Sequence, residues 1–341
     1  MALSAEATTT TAQPNTHFLK GQVPKTIEVL LPDMFKSFLK DEPRIHPDYA
    51  KVKASSEAWV IKFCSLSPQD IEIVRQCDFT YYCAIVYPDA PLEEFRVVSD
   101  WGNWVFPFDE MFDEGELRDN PEAAHEMMDC LMSKMLGLPY HGEKPKLVQA
   151  FDMIFDQLCQ KSSPETIQRF IKAMKDYCDN VLKQVDSISQ DITPQLYDML
   201  EVRSRSIAGW AMYVMIEYAH GLDIPSKVFD HPVIKELEVI VFKIIAIVND
   251  IVSYSKEEAN GVRHNMVAIC RIHGFSAQDA FDANVTLRAS VTWAGQTYDA
   301  VSTASVISAK KQPECSKLEE YPCLPSRLTL ISLRDVTTWP C

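Results

Sequence analysis

Three side chains within residues 239–261, VIVFKIIAIVNDIVSYSKEEANG, define the chemistry open to this chain. Asn249, Ser253 and Glu257 are spaced four and four. On an α-helix each four-residue step turns only slightly past a full circle, so the three stack along one stripe. An amide oxygen, a hydroxyl and a carboxylate are hard oxygen ligands, and together they could hold one Mg²⁺. Lys256, next to Glu257, is placed to reach a phosphate bound to that metal. Each residue taken singly also fits a buried helix running out into a polar cap. The set argues against that, because unpaired polar groups beside so apolar a run cost free energy.

A second constellation lies at residues 101–117, WGNWVFPFDEMFDEGEL. Asp109 and Asp113 fall one helical turn apart on one face, with Glu110 beside them. Two carboxylates facing a cavity bind a divalent cation, which relieves their mutual repulsion. A solvated acidic face near a helix end has the same pattern. Here Trp101, Trp104, Phe106 and Phe108 lead into the acids, which sets them at the lip of something apolar. A third piece is Arg203, in YDMLEVRSRSIAGW, 46 residues before Asn249. A guanidinium grips phosphate oxygens bidentately and stays charged at neutral pH. A lone arginine is as readily a salt-bridge partner. Arg205 points elsewhere on the same helix and reads as a surface residue.

Taken together these motifs resemble those of class I terpene synthases. NDIVSYSKE resembles the second metal motif of that family, DEMFD its aspartate-rich motif, and Arg203 the arginine that senses diphosphate in microbial members. Residues 43–60, PRIHPDYAKVKASSEAWV, resemble the proline-rich turn that opens the first long helix of microbial members. The resemblance spans roughly residues 43–274 and looks most like a basidiomycete-type sesquiterpene synthase. It implies one all-α bundle with two metal motifs facing each other across the mouth of a central apolar cavity. It also implies three Mg²⁺ ions and farnesyl diphosphate as substrate, cyclised with release of diphosphate. Asp109, Asn249, Ser253 and Glu257 would hold metal, Asp113 would ligate or support, and Arg203 and Lys256 would bind the diphosphate.

One departure matters. The family carries an Arg-Tyr pair near its C-terminus, and no such dipeptide follows Glu257. Arg327 and Arg334 precede Leu and Asp instead. That opens a second reading, a relative that binds diphosphate or a partner without turnover. A prenyl-elongating synthase is a third, but it would want a second DDxxD where this chain has NDIVSYSKE.

The elements that must position these residues read as helices. With 341 residues, 47% of them hydrophobic and only 10 glycines, the chain can bury a sizeable helical core. Prolines and glycines punctuate it. Pro68, Pro164 and Pro194 fall near helix starts, Pro88 and Pro91 close a helix, and residues 137–146 form a loop. No stretch alternates with period two, and the fold class is all-α. Residues 1–16 read as a disordered tail, 17–283 as the catalytic domain, and 284–341 as an atypical segment, rich in Val, Ser and Thr, in place of the last helices.

A net charge of −15 argues against nucleic acid and anionic membranes as partners. Ten cysteines scattered singly show neither zinc spacing nor a disulfide framework. Eight histidines lack metal-ligand spacing and read as structural. No signal peptide or membrane-length apolar run is visible, so the expected address is the cytosol.

Overall fold

The structure, a computed structural model, describes residues 27–31, 42–289 and 291. Among these, helices are the sole regular structure. In chain order they are α1 (Tyr49–Cys64), α2 (Pro68–Cys77), α3 (Phe79–Val86), α4 (Leu92–Asp113), α5 (Pro121–Met135), α6 (Lys146–Lys161), α7 (Pro164–Ser189), α8 (Leu196–Ser206), α9 (Gly209–His220), the single turn α10 (Ser226–Phe229), α11 (Pro232–Ala259) and α12 (Met266–Ile272). A further helical run covers residues 277–289.

Local chemistry explains the boundaries. Pro68, Pro121, Pro164 and Pro232 occupy the first turn of their helices, where the missing N–H would be unpaired anyway. Ser67 and Asp70 close a reciprocal capping box on α2. Gly221 and Gly261 take left-handed backbone just past α9 and α11.

Two hydrophobic cores divide the helices. α4 packs against α1, α3, α6 and α9, and α7 against α5, α8 and α9. Trp101, Trp104, Phe108, Phe112, Phe151 and Phe170 lie fully buried in this larger core. The second core joins α8, α11 and α12 through Met199, Leu200, Ile244, Ile247, Ile251 and Met266. The aromatic residues that precede Asp109 therefore anchor α4 itself: Trp104 lies 4.8 Å from Phe151 between ring centroids, and Phe106 stacks on Phe79 at 3.8 Å.

Helical structure continues through the boundary expected at residue 283. Val285 and Leu287 are half-buried against the second core, and Asn284 is completely buried. Apolar packing there outweighs the weak helix propensity of a Val- and Thr-bearing stretch. The expected disordered tail, and the atypical segment from residue 292 onward, lie outside the described residues.

Candidate active site

Four elements bring the predicted residues together. α4 supplies Asp109, Glu110 and Asp113 in its last two turns. Pro107 sits inside that helix and withholds the N–H that would bond the Asn103 carbonyl, loosening the turn just before the acids. α7 crosses behind them. The Tyr177 hydroxyl donates to Asp109 Oδ1 at 2.7 Å, and the Gln184 amide donates to Asp113 Oδ1. Among the described residues, Asp109 Oδ2 accepts no hydrogen bond. Burial pushes the Asp109 carboxyl up to about 6, against the pull of the Tyr177 hydrogen bond and the Arg203 charge. Burial raises Asp113 well above the usual carboxylate range, and the neighbouring Asp109 charge adds to it.

Arg203 lies on α8, 5% exposed, and faces α11. Its Nε and Nη2 donate to Asp250 Oδ1 at 3.0 and 2.7 Å, and Nη2 also donates to Asn249 Oδ1 at 2.9 Å. Asp250 is completely buried and takes a third donor, the Met266 N–H, at 2.7 Å. Burial alone would lower the Arg203 pKa; the charges of Asp250, Glu257 and Asp113 more than reverse this and keep it cationic. Arg205, as expected, points away: it is over one-third exposed, near Asp176 and the Trp210 ring.

The α11 stripe is half-buried at Asn249, Ser253 and Glu257. Asp109, Glu110 and Asp113 all feel the negative charge of Glu257, so the two acidic motifs share one mouth. Lys256 does not hang free. It pairs with Glu110 at 3.0 Å and Glu114 at 3.4 Å across the gap between α4 and α11. Asn260 donates to Glu114 at 2.9 Å, and Arg118 donates to the Asn260 and Gly261 carbonyls. These polar contacts link the C-terminal ends of the two helices.

Several site residues escape a reading of motifs. Asp250 lies inside the NDIVSYSKE motif, which gives it no stated role, and its side chain turns to Arg203 on α8. Asn265 stands directly before the apolar run MVAI, an N-cap signal. Tyr177, Gln184 and Arg118 carry no local mark at all. Of the histidines, His264 is buried, and burial pushes it well below its usual range, with the nearby Arg203 charge adding to it.

Among the described residues, no three His, Cys, Asp or Glu side chains converge tightly enough to hold an ion unaided. The donors are hard oxygens divided between two helices, with Arg203 between them. That division fits Mg²⁺, which takes one or two protein carboxylates and completes its shell with water and phosphate oxygens.

An all-helical bundle with two acidic helix ends turned to one another around a buried arginine is the architecture of a terpene synthase. The chain belongs to that family: the family model described as terpene synthase family 2, C-terminal metal binding, matches residues 100–290. The match implies use of a divalent metal. The chain is 36% identical over 262 residues to a silphinene synthase of Penicillium patulum, covering 74% of this chain and 70% of that one. It is 31% identical to a (+)-eremophilene synthase of Gibberella fujikuroi, with 75% and 72% covered. The solved structure of wild-type cucumene synthase superposes with a TM-score of 0.70 at 20% identity, covering 87% of this chain and 96% of that one. These matches establish the class rather than its basidiomycete subtype. No described helix is long and apolar enough to cross a membrane.

Proposed function

We propose that this chain is a cytosolic sesquiterpene synthase that ionises and cyclises farnesyl diphosphate with Mg²⁺ and releases diphosphate. The observation that carries the reading is the shared mouth, where Asp109 and Asp113 on α4 meet the field of Glu257 on α11 beside the buried Arg203. The named relatives, both terpene-forming synthases, support it.

Bound Mg²⁺, three ions by family resemblance, would supply the positive charge that makes diphosphate a competent leaving group. Asp109 and Asp113 would hold metal from one side, and Asn249, Ser253 and Glu257 from the other. Arg203 offers a preorganised guanidinium to the departing oxygens, which costs no reorganisation as charge develops. Lys256 adds a donor once it leaves Glu110 and Glu114. The allylic C–O bond breaks and its electron pair leaves with the diphosphate. Apolar walls then exclude water from the cation, and aromatic faces stabilise it by roughly 0.5–2 kcal/mol each. The chamber belongs to this proposal. Ring closure ends with loss of a proton, which the released diphosphate would accept.

A second reading, diphosphate binding without turnover, is favoured by residues 258–341, which contain no Arg-Tyr pair. Incubating the purified chain with farnesyl diphosphate, isopentenyl diphosphate as the C5 donor and Mg²⁺, then analysing both the headspace and the diphosphates left in solution, separates the possibilities. Volatile C15 hydrocarbons are expected. Longer diphosphates would indicate an elongating synthase, and unchanged substrate the non-catalytic relative. Asn249→Ala is expected to abolish product with its helical circular dichroism intact; full activity in that variant removes the assignment of the α11 stripe.

A further inference from the structure

Between α11 and α12 lies a buried side chain that none of these roles uses. Asn265 is 0% exposed and faces two ways. Its Oδ1 caps α12, accepting from the Val267 N–H at 2.8 Å and the Ala268 N–H at 3.2 Å. Its Nδ2 turns back to α11, donating to the Asp250 carbonyl at 2.8 Å and to Glu257 Oε2 at 2.9 Å, with Ser253 Oγ at 3.5 Å. An amide nitrogen has two hydrogens. One is spent on the backbone of α11 and the other on the Glu257 carboxylate.

The cap by itself would be served equally by Asp or Ser. Neither can supply the second half. Asp offers no donor and would set a like charge against Glu257, and Ser is too short to reach across. Only an amide caps α12 and donates to Glu257 at once. The donated bond engages Oε2 and leaves Oε1 without a hydrogen-bond partner among the described residues. We propose that Asn265 is a positioning residue for metal–diphosphate binding: it locks Glu257 in the rotamer that turns Oε1 to the mouth, and it ties that rotamer to α12. The inference rests on the reading of the α11 stripe as metal-holding.

The test titrates the full chain with Mg²⁺ and inorganic diphosphate by calorimetry, where no turnover occurs. Asn265→Ser and Asn265→Asp both keep the cap, so each is expected to retain the wild-type circular dichroism; the Ser variant should melt within a few degrees of wild type and the Asp variant lower, with a buried carboxylate set against Glu257. Their affinity for diphosphate in Mg²⁺ is expected to fall about 10- to 100-fold, the usual cost of losing a group that orients a metal ligand. A purely capping role would leave that affinity unmoved. Folded variants that bind like wild type overturn the proposal, and so does loss of folding in both, which would make the amide structural. Wild-type protein that takes up no diphosphate with Mg²⁺ removes the site reading and this inference with it, whereas wild-type binding with unchanged variants removes this inference alone.

Discussion

At the scale of single residues, Arg203 and Asp250 are bound to one another's fate. Removing one partner of a buried ion pair leaves an uncompensated charge, which costs about 3–5 kcal/mol. Arg203→Ala should therefore lower unfolding free energy in urea by about that much, with Asp250 stranded at 0% exposure. Replacing both, Arg203→Met with Asp250→Asn, should recover most of the stability, because a neutral pair avoids the desolvation penalty. Diphosphate binding should remain lost in the double variant. That contrast separates an arginine kept for the ligand from one kept for the fold. Arg203 drew notice in the sequence through the family resemblance, at 46 residues before Asn249. Its hold on Asp250 did not, since Asp250 turns to α8 and the mouth is seen by its neighbours on the stripe.

At the scale of elements, the seat of α4 decides where its acids go. A Cβ on Gly102 would stand 2.5 Å from Cys83 Sγ, on α3, and Cys83 is itself 0% exposed with its thiol donating to the Val98 carbonyl. Gly102→Ala should cost about 1–3 kcal/mol through overpacking, read as a lower midpoint in thermal unfolding. Adding Cys83→Ala removes the clashing sulfur, so the double variant should be more stable than the two single losses added together. Unchanged stability in Gly102→Ala would contradict the close α3–α4 approach. Proline and glycine punctuation made the helix order readable, with Pro68, Pro164 and Gly221 where helices begin or end. Residues 277–289 were harder, because their helix is stabilised by the second core and not by local periodicity.

At the scale of the whole molecule, a half-buried carboxyl away from the mouth ties stability to pH. Glu238, on α11, is pushed up to about 7 by burial, with Lys172, Lys235 and Arg169 pulling it down and Glu217 raising it. In the unfolded chain the same group titrates near 4.5. The folded state holds the proton more tightly, so this group contributes no penalty below about pH 4.5 and a growing one as pH rises to about 7. Glu238→Gln removes the ionisation. Its melting temperature should match wild type near pH 4.5 and exceed it at pH 8, by differential scanning fluorimetry. A difference that stays constant across this range would show that Glu238 is not held protonated by the fold.

The amino-acid sequence alone determined the helical class, the order of most helices and the residue types able to meet metal and phosphate. Each of these depends on neighbours within one or two helical turns, where periodicity, capping and punctuation are local physics. Tertiary structure alone decided which carboxylates share a field, that Lys256 clasps α4 to α11, and that Asp250, Tyr177, Gln184 and Asn265 hold the site's side chains in place. Those contacts join residues many turns apart, and a hydrogen bond across packed helices leaves no period in the sequence to read.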